Sequence, residues 1–353
     1  MEQKKQLSFL KNIKSKPIIK KIFNYLNLYK KLKLTYRNRF FQNLLNIDEN
    51  DYNVCSKIQL LIYPENNVQA SFINYIKNYD KYYHIYFDNN KEEINRNFIY
   101  DNEKVQKITV ILDNNIITIA GLFRNINHIR RIDFIFFHRA DFNDMHGMFQ
   151  GCSSLTELNF KSFCTINVTN MNSMFKGCSK LKKIDLNKFN TNNVDDMGSL
   201  FKKCKKLIEL DLSKFDTNQV TDMSNMFDEC QSLKNLDLSN FNTINVENME
   251  GMFQKCNSLI KINVNSFDTS NVTNMSNMFY GCSSLKSLDL FNFYTYKVTD
   301  ISNMFFDCSS LEKLNIINIS LGAAIYYRKI FEGCTSLKYI YYSYEFIKKY
   351  FNN

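Results

Sequence analysis

From about residue 121 onward, apolar positions fall into a register that repeats every 26 residues. Phe149, Phe175, Phe201, Phe227, Phe253, Phe279, Phe305 and Phe331 keep this interval, as do Leu155, Leu181, Leu207, Leu233, Leu259, Leu285, Leu311 and Leu337. Within one unit, LKSLDL (285–290) follows L-x-x-L-x-L, which predicts a short strand with Leu288 and Leu290 facing inward on a period of two. Phe293 and a turn containing Asn or Asp and Thr come next, then Val298. In NMSNMF (274–279) the residues Met275, Met278 and Phe279 share one face at helical spacing, which predicts a helical turn. A single unit buries too little to fold alone, so stacked units sharing one core are the folding unit. The expected fold is an α/β solenoid, a stack of about eight 26-residue strand–turn–helical-turn units, with capping ends and a small helical N-terminal region.

The ends depart from the pattern in the way caps do, because an open end exposes a strand edge and the core. LFRNINHIRRIDF (122–134) keeps Phe123, Ile129, Ile132 and Phe134 in register but has Ile126 where the unit places cysteine. Ahead of it, KITVILDNNIITIAGLF (107–123) reads as a hairpin covering the first coil. At the far end the repeat decays through IINISLGAAIYYRKIF, and a last strand, SLKYIYY, runs into a charged tail, EFIKKYFNN. This divides the chain into a basic helical unit (1–50), an irregular linking region (51–106) and the capped solenoid (107–353).

The complete unit, as in NVTNMSNMFYGCSSLKSLDL (271–290), resembles the BspA-like leucine-rich repeat family in its MFxGCxSLxxLDLSxFDTSNVTNM form. The resemblance covers about residues 121–342. It implies a leucine-rich-repeat fold and, because that family includes surface adhesins, an adhesin role as one alternative.

One cysteine per unit, Cys152, Cys178, Cys204, Cys230, Cys256, Cys282, Cys308 and Cys334, stands in the same register. Stacked one per coil, about 4.8 Å apart, they form a line and not the converging set that tetrahedral zinc requires. A nucleophilic role needs a neighbouring base, and His84, His128, His138 and His146 have no counterparts in the repeats. Adjacent coils would bring cysteines within bridging range, but disulfides are not expected in a reducing compartment. Burial as small, soft hydrophobes is the remaining expectation. The same core role is expected of the Met and Phe columns. A further column, Thr165, Thr191, Thr217, Thr243, Thr269 and Thr295, is expected to bond local backbone in its turn. Phosphate-cradling loops, dinucleotide fingerprints and H-E-x-x-H are absent, which speaks against an enzyme and leaves no cofactor to expect.

The net charge of +10 is concentrated at the start, where residues 1–50 hold twelve Lys/Arg against three acids. Such a stretch can attract nucleic acid, anionic lipid or an acidic protein, though a solvated helical surface accounts for it equally and nucleic-acid binding is not expected. Pro17 suits a helix start, with Ile18, Ile19, Ile22, Phe23 and Leu26 at helical spacing. A second helix would carry Leu32, Tyr36, Phe40, Leu44 and Leu45, and a short one would lie at SFLKNI. The run KPIIKKIFNYL…KKLKLTYRNRFFQNLL is similar to the F-box through Pro17, Ile22, Phe23, Tyr25 and Leu26, then Leu32, Leu34, Arg37 and Phe40. That similarity implies docking on a Skp1-like protein and a substrate-adaptor role, with Pro17, Ile22, Phe23, Leu26 and Phe40 as contacts. The gap from Pro17 to Ile22 is about two residues short of the F-box pattern, and no acid follows the proline. No run of 18 apolar residues exists, so a membrane-spanning helix is not expected, and the start lacks a secretory h-region, so a cytoplasmic place is.

The leading expectation is therefore a non-enzymatic scaffold that binds a protein partner of unknown identity through its repeat surface. One outward strand column holds Asp185, Asp211, Asp237 and Asp289. It reads either as an acidic strip for a basic or hydroxyl-rich partner, or as a motif residue satisfied by local hydrogen bonds. Phe291, Ile317, Tyr339 and Tyr341 break the polar face near the C-terminal end. They mark a contact patch or lie beneath the tail.

Overall fold

In the computed structural model, the described residues are 16–24, 39–47, 57–76 and 78–351. From residue 129 onward the chain winds in coils of 26 residues whose outward strand positions stack in register. Parallel pairing joins β4 (Ile129–Phe136) to β5 (Glu157–Phe160) and β6 (Asn235–Asp237) to β7 (Lys261–Asn263). It also joins β8 (Ser287–Asp289), β9 (Lys313–Ile316) and β10 (Tyr339–Tyr342) in sequence. A second ladder of single parallel bridges links Asp144, Asn170, Asp196, Asp222, Asn248, Asn274, Asp300 and Tyr326, one per coil. The expected interior is observed: the Phe, Leu, Met and Val columns are buried as far as Leu311, and in the last coil Phe331 and Leu337 are partly buried. Successive Phe rings lie nearly parallel, with centroids 5.3–5.9 Å apart from Phe149 to Phe331.

The segment read as a helical turn buries the expected side chains but is not a helix. In 275–282, the N–H groups of Met275, Asn277, Phe279 and Gly281 donate to Asp300, Ser302, Met304 and Phe306 of the next coil. Those of Met278, Tyr280 and Cys282 donate three residues back, to Met275, Asn277 and Phe279. A helix would direct every N–H to a carbonyl four residues back and occupy a cylinder about 10 Å wide. Coils spaced like strands, about 4.8 Å apart, leave no room for one in each unit. Tight turns replace it, and they require left-handed residues at Asn277 (φ 58) and Gly281 (φ 70).

The threonine column is also placed differently from expectation. Thr165 Oγ1 donates to the Asn190 carbonyl at 2.8 Å and accepts the Asn190 N–H at 2.7 Å, one coil on. Thr191 and Thr217 make the same pair of bonds with Asp216 and Asn242. Each buried hydroxyl thus ties two coils together where the backbone ladder lapses, instead of closing its own turn.

Residues assigned to an irregular link supply two strands of the N-terminal cap. The five-stranded sheet runs in the order β2-β3-β1-β4-β5, with β1 at Ile58–Pro64, β2 at Tyr83–Phe87 and β3 at Ile108–Leu112. It is antiparallel from β2 to β4 and parallel from β4 to β5, so one sheet passes from cap to solenoid without a break. The stretch 107–123 is accordingly not a hairpin: only β3 is a strand, and its neighbours are β1 and β2. At the other end α3 (Tyr344–Phe351) closes the core, with Phe346 buried and the Tyr350 ring 5.6 Å from that of Phe331.

Two further helices, α1 (Lys16–Asn24) and α2 (Arg39–Leu45), form a small apolar cluster of Ile19, Phe23 and Phe41. Phe41 and not Phe40 turns inward, and Ile18 is exposed. The helix expected at SFLKNI, and Leu26, Leu32 and Tyr36, lie outside the described residues.

The turn position occupied by Gly281 and Gly177 (φ 77) is held by Lys203 (φ 63), Glu229 (φ 59) and Lys255 (φ 54) in the intervening coils. An L-residue is strained there by about 1–2 kcal/mol, partly offset in a glycine variant by the greater freedom of its unfolded chain. Lys255→Gly is expected to raise stability by about 0.5–1 kcal/mol and Gly281→Ala to lower it by at least that much. Shifts of the urea midpoint check both.

Candidate functional site: the strand face

Along each strand every second side chain points out, so residues two apart in one coil and 26 apart between coils share one surface. In the second coil Ile184 and Leu186 are buried while Lys183, Asp185 and Asn187 are exposed. Three concavities open along this surface, of about 370, 940 and 290 Å³. The first is lined by Glu157, Asn159, Lys183, Asp185, Asn187 and Asp211, among others. The second and largest runs from Ile208 to Asp289, with Asp237, Lys261 and Asn263 on its floor. Beyond it, the third lies between Asn265, Phe291 and Asn315. They form a shallow groove that crosses the strands.

The aspartate column is built into this groove by local chemistry. Asp185 Oδ1 accepts the Asn187 N–H at 3.0 Å, and the N–H groups of Ser213, Ser239 and Phe291 bond Asp211, Asp237 and Asp289 in the same way. Each bond ends its strand with an Asx turn. The N–H of Ser213 holds the Asp211 carboxyl below the usual range, and that of Ser239 does so for Asp237. The column is thus satisfied by local hydrogen bonds at one oxygen, while its carboxylates stay on the exposed face.

Phe291, Ile317, Tyr339 and Tyr341 are 54, 42, 55 and 61% exposed. The alternative that they lie beneath the C-terminal tail fails, because α3 packs on the end of the core at Phe331 instead. Asn315 lies opposite Tyr341, and Lys313 lies opposite Tyr339 with its ammonium 5.9 Å from the ring centroid. The patch thus continues the groove. Of the N-terminal docking candidates, Pro17 and Phe40 are exposed, Ile22 is half-buried and Phe23 is fully buried against Phe41; Leu26 lies outside the described residues. Phe23, as placed, is core and not contact.

The cysteines do more than fill space. Each thiol of the column donates to a phenylalanine carbonyl 29 residues earlier, from Cys152 to Phe123 at 3.1 Å through Cys334 to Phe305 at 3.0 Å. Cys178, Cys204, Cys230, Cys256, Cys282 and Cys308 make the intervening bonds at 3.1–3.3 Å. The sulfhydryl supplies a donor inside the stack that an aliphatic residue of that size lacks. All nine described cysteines are free thiols, and among the described residues no three His, Cys, Asp or Glu converge on one point. Burial pushes the Cys204 and Cys282 thiols up to about 12 and those of Cys178, Cys230 and Cys256 well above the ordinary value.

Sequence reasoning missed two polar columns. Asp144, Asn170, Asp196, Asp222, Asn248, Asn274 and Asp300 cap the second ladder by accepting the N–H two residues on. Asn167, Asn193, Asn245 and Asn271 donate their amides to carbonyls of the preceding coil. The signal was present as the recurring N-V-T-[ND]-M segment, whose Asn or Asp before the last apolar residue recurs in every coil from Asn170 to Asp300.

Residues 117–235, 143–261 and 227–344 match the model of a family described as "Mycoplasma protein of unknown function, DUF285". The chain belongs to the DUF285 family. Its family-matching coils are the same ones that carry the cysteine and threonine columns. Among curated proteins, none matches this DUF285 chain. Two solved structures are similar to it. A leucine-rich cell surface protein from Faecalibacterium prausnitzii is 19% identical, with a TM-score of 0.33 over 63% of this chain and 62% of that one. A leucine-rich repeat protein from Bacteroides ovatus is 20% identical, with a TM-score of 0.26 over 68% of this chain and 66% of that one. The DUF285 chain therefore spans a little under two thirds of the length of each. No helix among the described residues is long and apolar enough to cross a membrane.

The raised thiol values carry a pH dependence of definite sign. A free thiol loses its proton near pH 8.5, whereas the folded column holds it to about 12 at Cys204 and Cys282. This contribution is complete below about pH 8.5 and is lost progressively as the pH rises toward 12. Urea midpoints are expected to be flat from pH 7 to 8 and to fall above pH 9. At pH 8 the fully buried thiols from Cys152 to Cys308 should resist iodoacetamide until urea unfolds the chain, and Cys230→Ala should cost about 1–2 kcal/mol for the lost sulfur and hydrogen bond.

Proposed function

We propose that this chain is a non-enzymatic scaffold that binds a protein partner along its strand face. The observation that carries the reading is a contrast between columns. Inside, the same residue type recurs coil after coil, because each position meets its own copy across the stack. Outside, the column at Glu157, Lys183, Glu209, Asn235, Lys261 and Ser287 changes chemistry at almost every step. Stacking fixes the first kind of column and leaves the second free to suit something else. The free columns coincide with the groove formed by these three concavities, and solenoids bind partners through such extended faces.

The chemistry in the groove favours binding over catalysis. Its lining holds Asp, Glu, Asn, Ser, Thr, Lys, Ile and Leu side chains and neither histidine nor cysteine. The carboxylates nearest its floor are already tied to turn N–H groups. The reading is indifferent to compartment. Buried thiols that neither pair nor ionise suit an oxidising exterior as well as a reducing cytosol, so the cytoplasmic expectation gains nothing from the fold.

Asn235 and Ser287 line the largest concavity, whereas Gln219 is exposed in the turn beyond the strand. Full-length chain carrying Asn235→Arg and Ser287→Arg is expected to lose its native-cell partner at least tenfold in quantitative affinity capture. Gln219→Arg is expected to retain it. Equal retention by both variants, or equal loss, would remove the strand face as the binding surface.

A further inference from the structure

The groove is bipartite, and its two parts name the guest. Toward the first coils its floor is set by Asp185, Asp211 and Asp237. Toward the last coils it opens onto exposed Phe291, Ile317 and Tyr341. The turn that ends each strand needs an acceptor oxygen and no charge. Asn263 Oδ1 accepts the Asn265 N–H at 3.3 Å and Asn315 Oδ1 accepts the Ile317 N–H at 3.3 Å, the same bond that the aspartates make. Three carboxylates in successive coils repel one another, and asparagine makes the same turn bond without that repulsion, at 3.3 Å against 2.9–3.0 Å. The charge is therefore available to an incoming group of opposite sign. Lys183 and Lys261 share the lining with Glu157, Glu209 and the aspartates, which outnumber them, and Lys182, Lys234 and Lys286 stand exposed where the strands begin, so a cationic guest lies over the aspartates.

Resting on the strand-face reading, we propose that the groove docks an extended polypeptide segment, with Lys or Arg side chains over Asp185, Asp211 and Asp237 and an aromatic or aliphatic side chain on Phe291, Ile317 and Tyr341. An extended segment fits the shape. From Asn159 to Asn315 the floor crosses six coil-to-coil steps, about 29 Å, which about nine extended residues span. The exposed apolar patch gives the guest a fixed end, and the aspartates give it a sign.

Three synthetic twelve-residue peptides test this on the full-length chain: ten residues alternating Ser with Lys, Gln or Glu, each followed by Phe-Tyr. Fluorescence anisotropy is expected to show the Lys peptide bound at least tenfold more tightly than the Gln peptide, and the Glu peptide weakest. Asp211→Asn with Asp237→Asn keeps the turn bonds and should bring the Lys peptide down to the Gln level. Phe291→Ser with Tyr341→Ser should weaken all three. Equal binding of the Lys and Glu peptides, or no effect of the Asn variants, overturns the proposal. So does Lys-peptide binding that ignores the Phe291 and Tyr341 changes, because diffuse attraction then explains it. Failure of the peptides while the Asn235 and Ser287 variants still strip the native partner sinks this inference alone; failure of both experiments sinks the strand-face reading with it.

Discussion

The hydrogen bond from one coil to the next governs this structure. Each unit must offer donors and acceptors along the stacking axis at strand-like spacing, and every other feature follows from that demand. It excludes a helix from the turn segment, because a helix turns its N–H groups inward on itself. It obliges the chain to take left-handed turns, at glycine where the sequence provides one and at Lys203, Glu229 or Lys255 where it does not. It explains why an Asn or Asp recurs in every coil from Asp144 to Asp300. Where backbone ladders lapse, a threonine hydroxyl, a cysteine thiol or an asparagine amide carries the bond across.

Much of this was legible in the sequence, and the limit was physical. The 26-residue period gave the solenoid, the inward Leu, Phe, Met and Cys columns and the outward Asp column directly, because burial imposes one residue type on each stacked position. The direction of side-chain hydrogen bonds was not legible. A threonine bonding its own turn and one bonding the next coil leave the same trace in a single unit; only the stack distinguishes them. The helical turn was misread for a related reason. Met275, Met278 and Phe279 share a face in a helix, and they share one equally in consecutive tight turns. Periodicity reports which side is buried and not how the backbone gets there. In the cap, IQLLIYP and YHIYF alternate cleanly, with burial at every second residue. They were passed over because neighbouring tyrosines and asparagines hid strands of five and seven residues that have no repeat to announce them.

The two ends solve the open-stack problem by different means. At the start, antiparallel strands extend the same sheet, so the first coil meets hydrogen-bonding partners as well as apolar cover. At the finish, α3 covers the core near Phe331 but adds no strand beside β10. The last strand is thus a sheet edge bearing exposed Tyr339 and Tyr341. Edges of this kind are usually blunted by charge or proline, and this one carries tyrosine. Aromatic exposure there is tolerable if the surface is regularly occupied, which is how the patch and the groove come to be read as one site.

A division of labour between columns is what makes the functional reading possible. A position buried in the stack has a single solution repeated many times, and a substitution there is felt by the coils on both sides. A position on the strand face has no such neighbour-imposed answer, so its residues can vary from coil to coil at little cost to the fold. The Asp column sits between these cases. Its oxygen is required by the turn, as Asn263 and Asn315 show, while its charge is not. Separating what the fold needs from what it merely permits leaves the carboxylates, the alternating rim and the C-terminal aromatics as the features that stacking does not explain. Those features lie along one groove, and a partner of matching charge and shape is the simplest physical account of why they do.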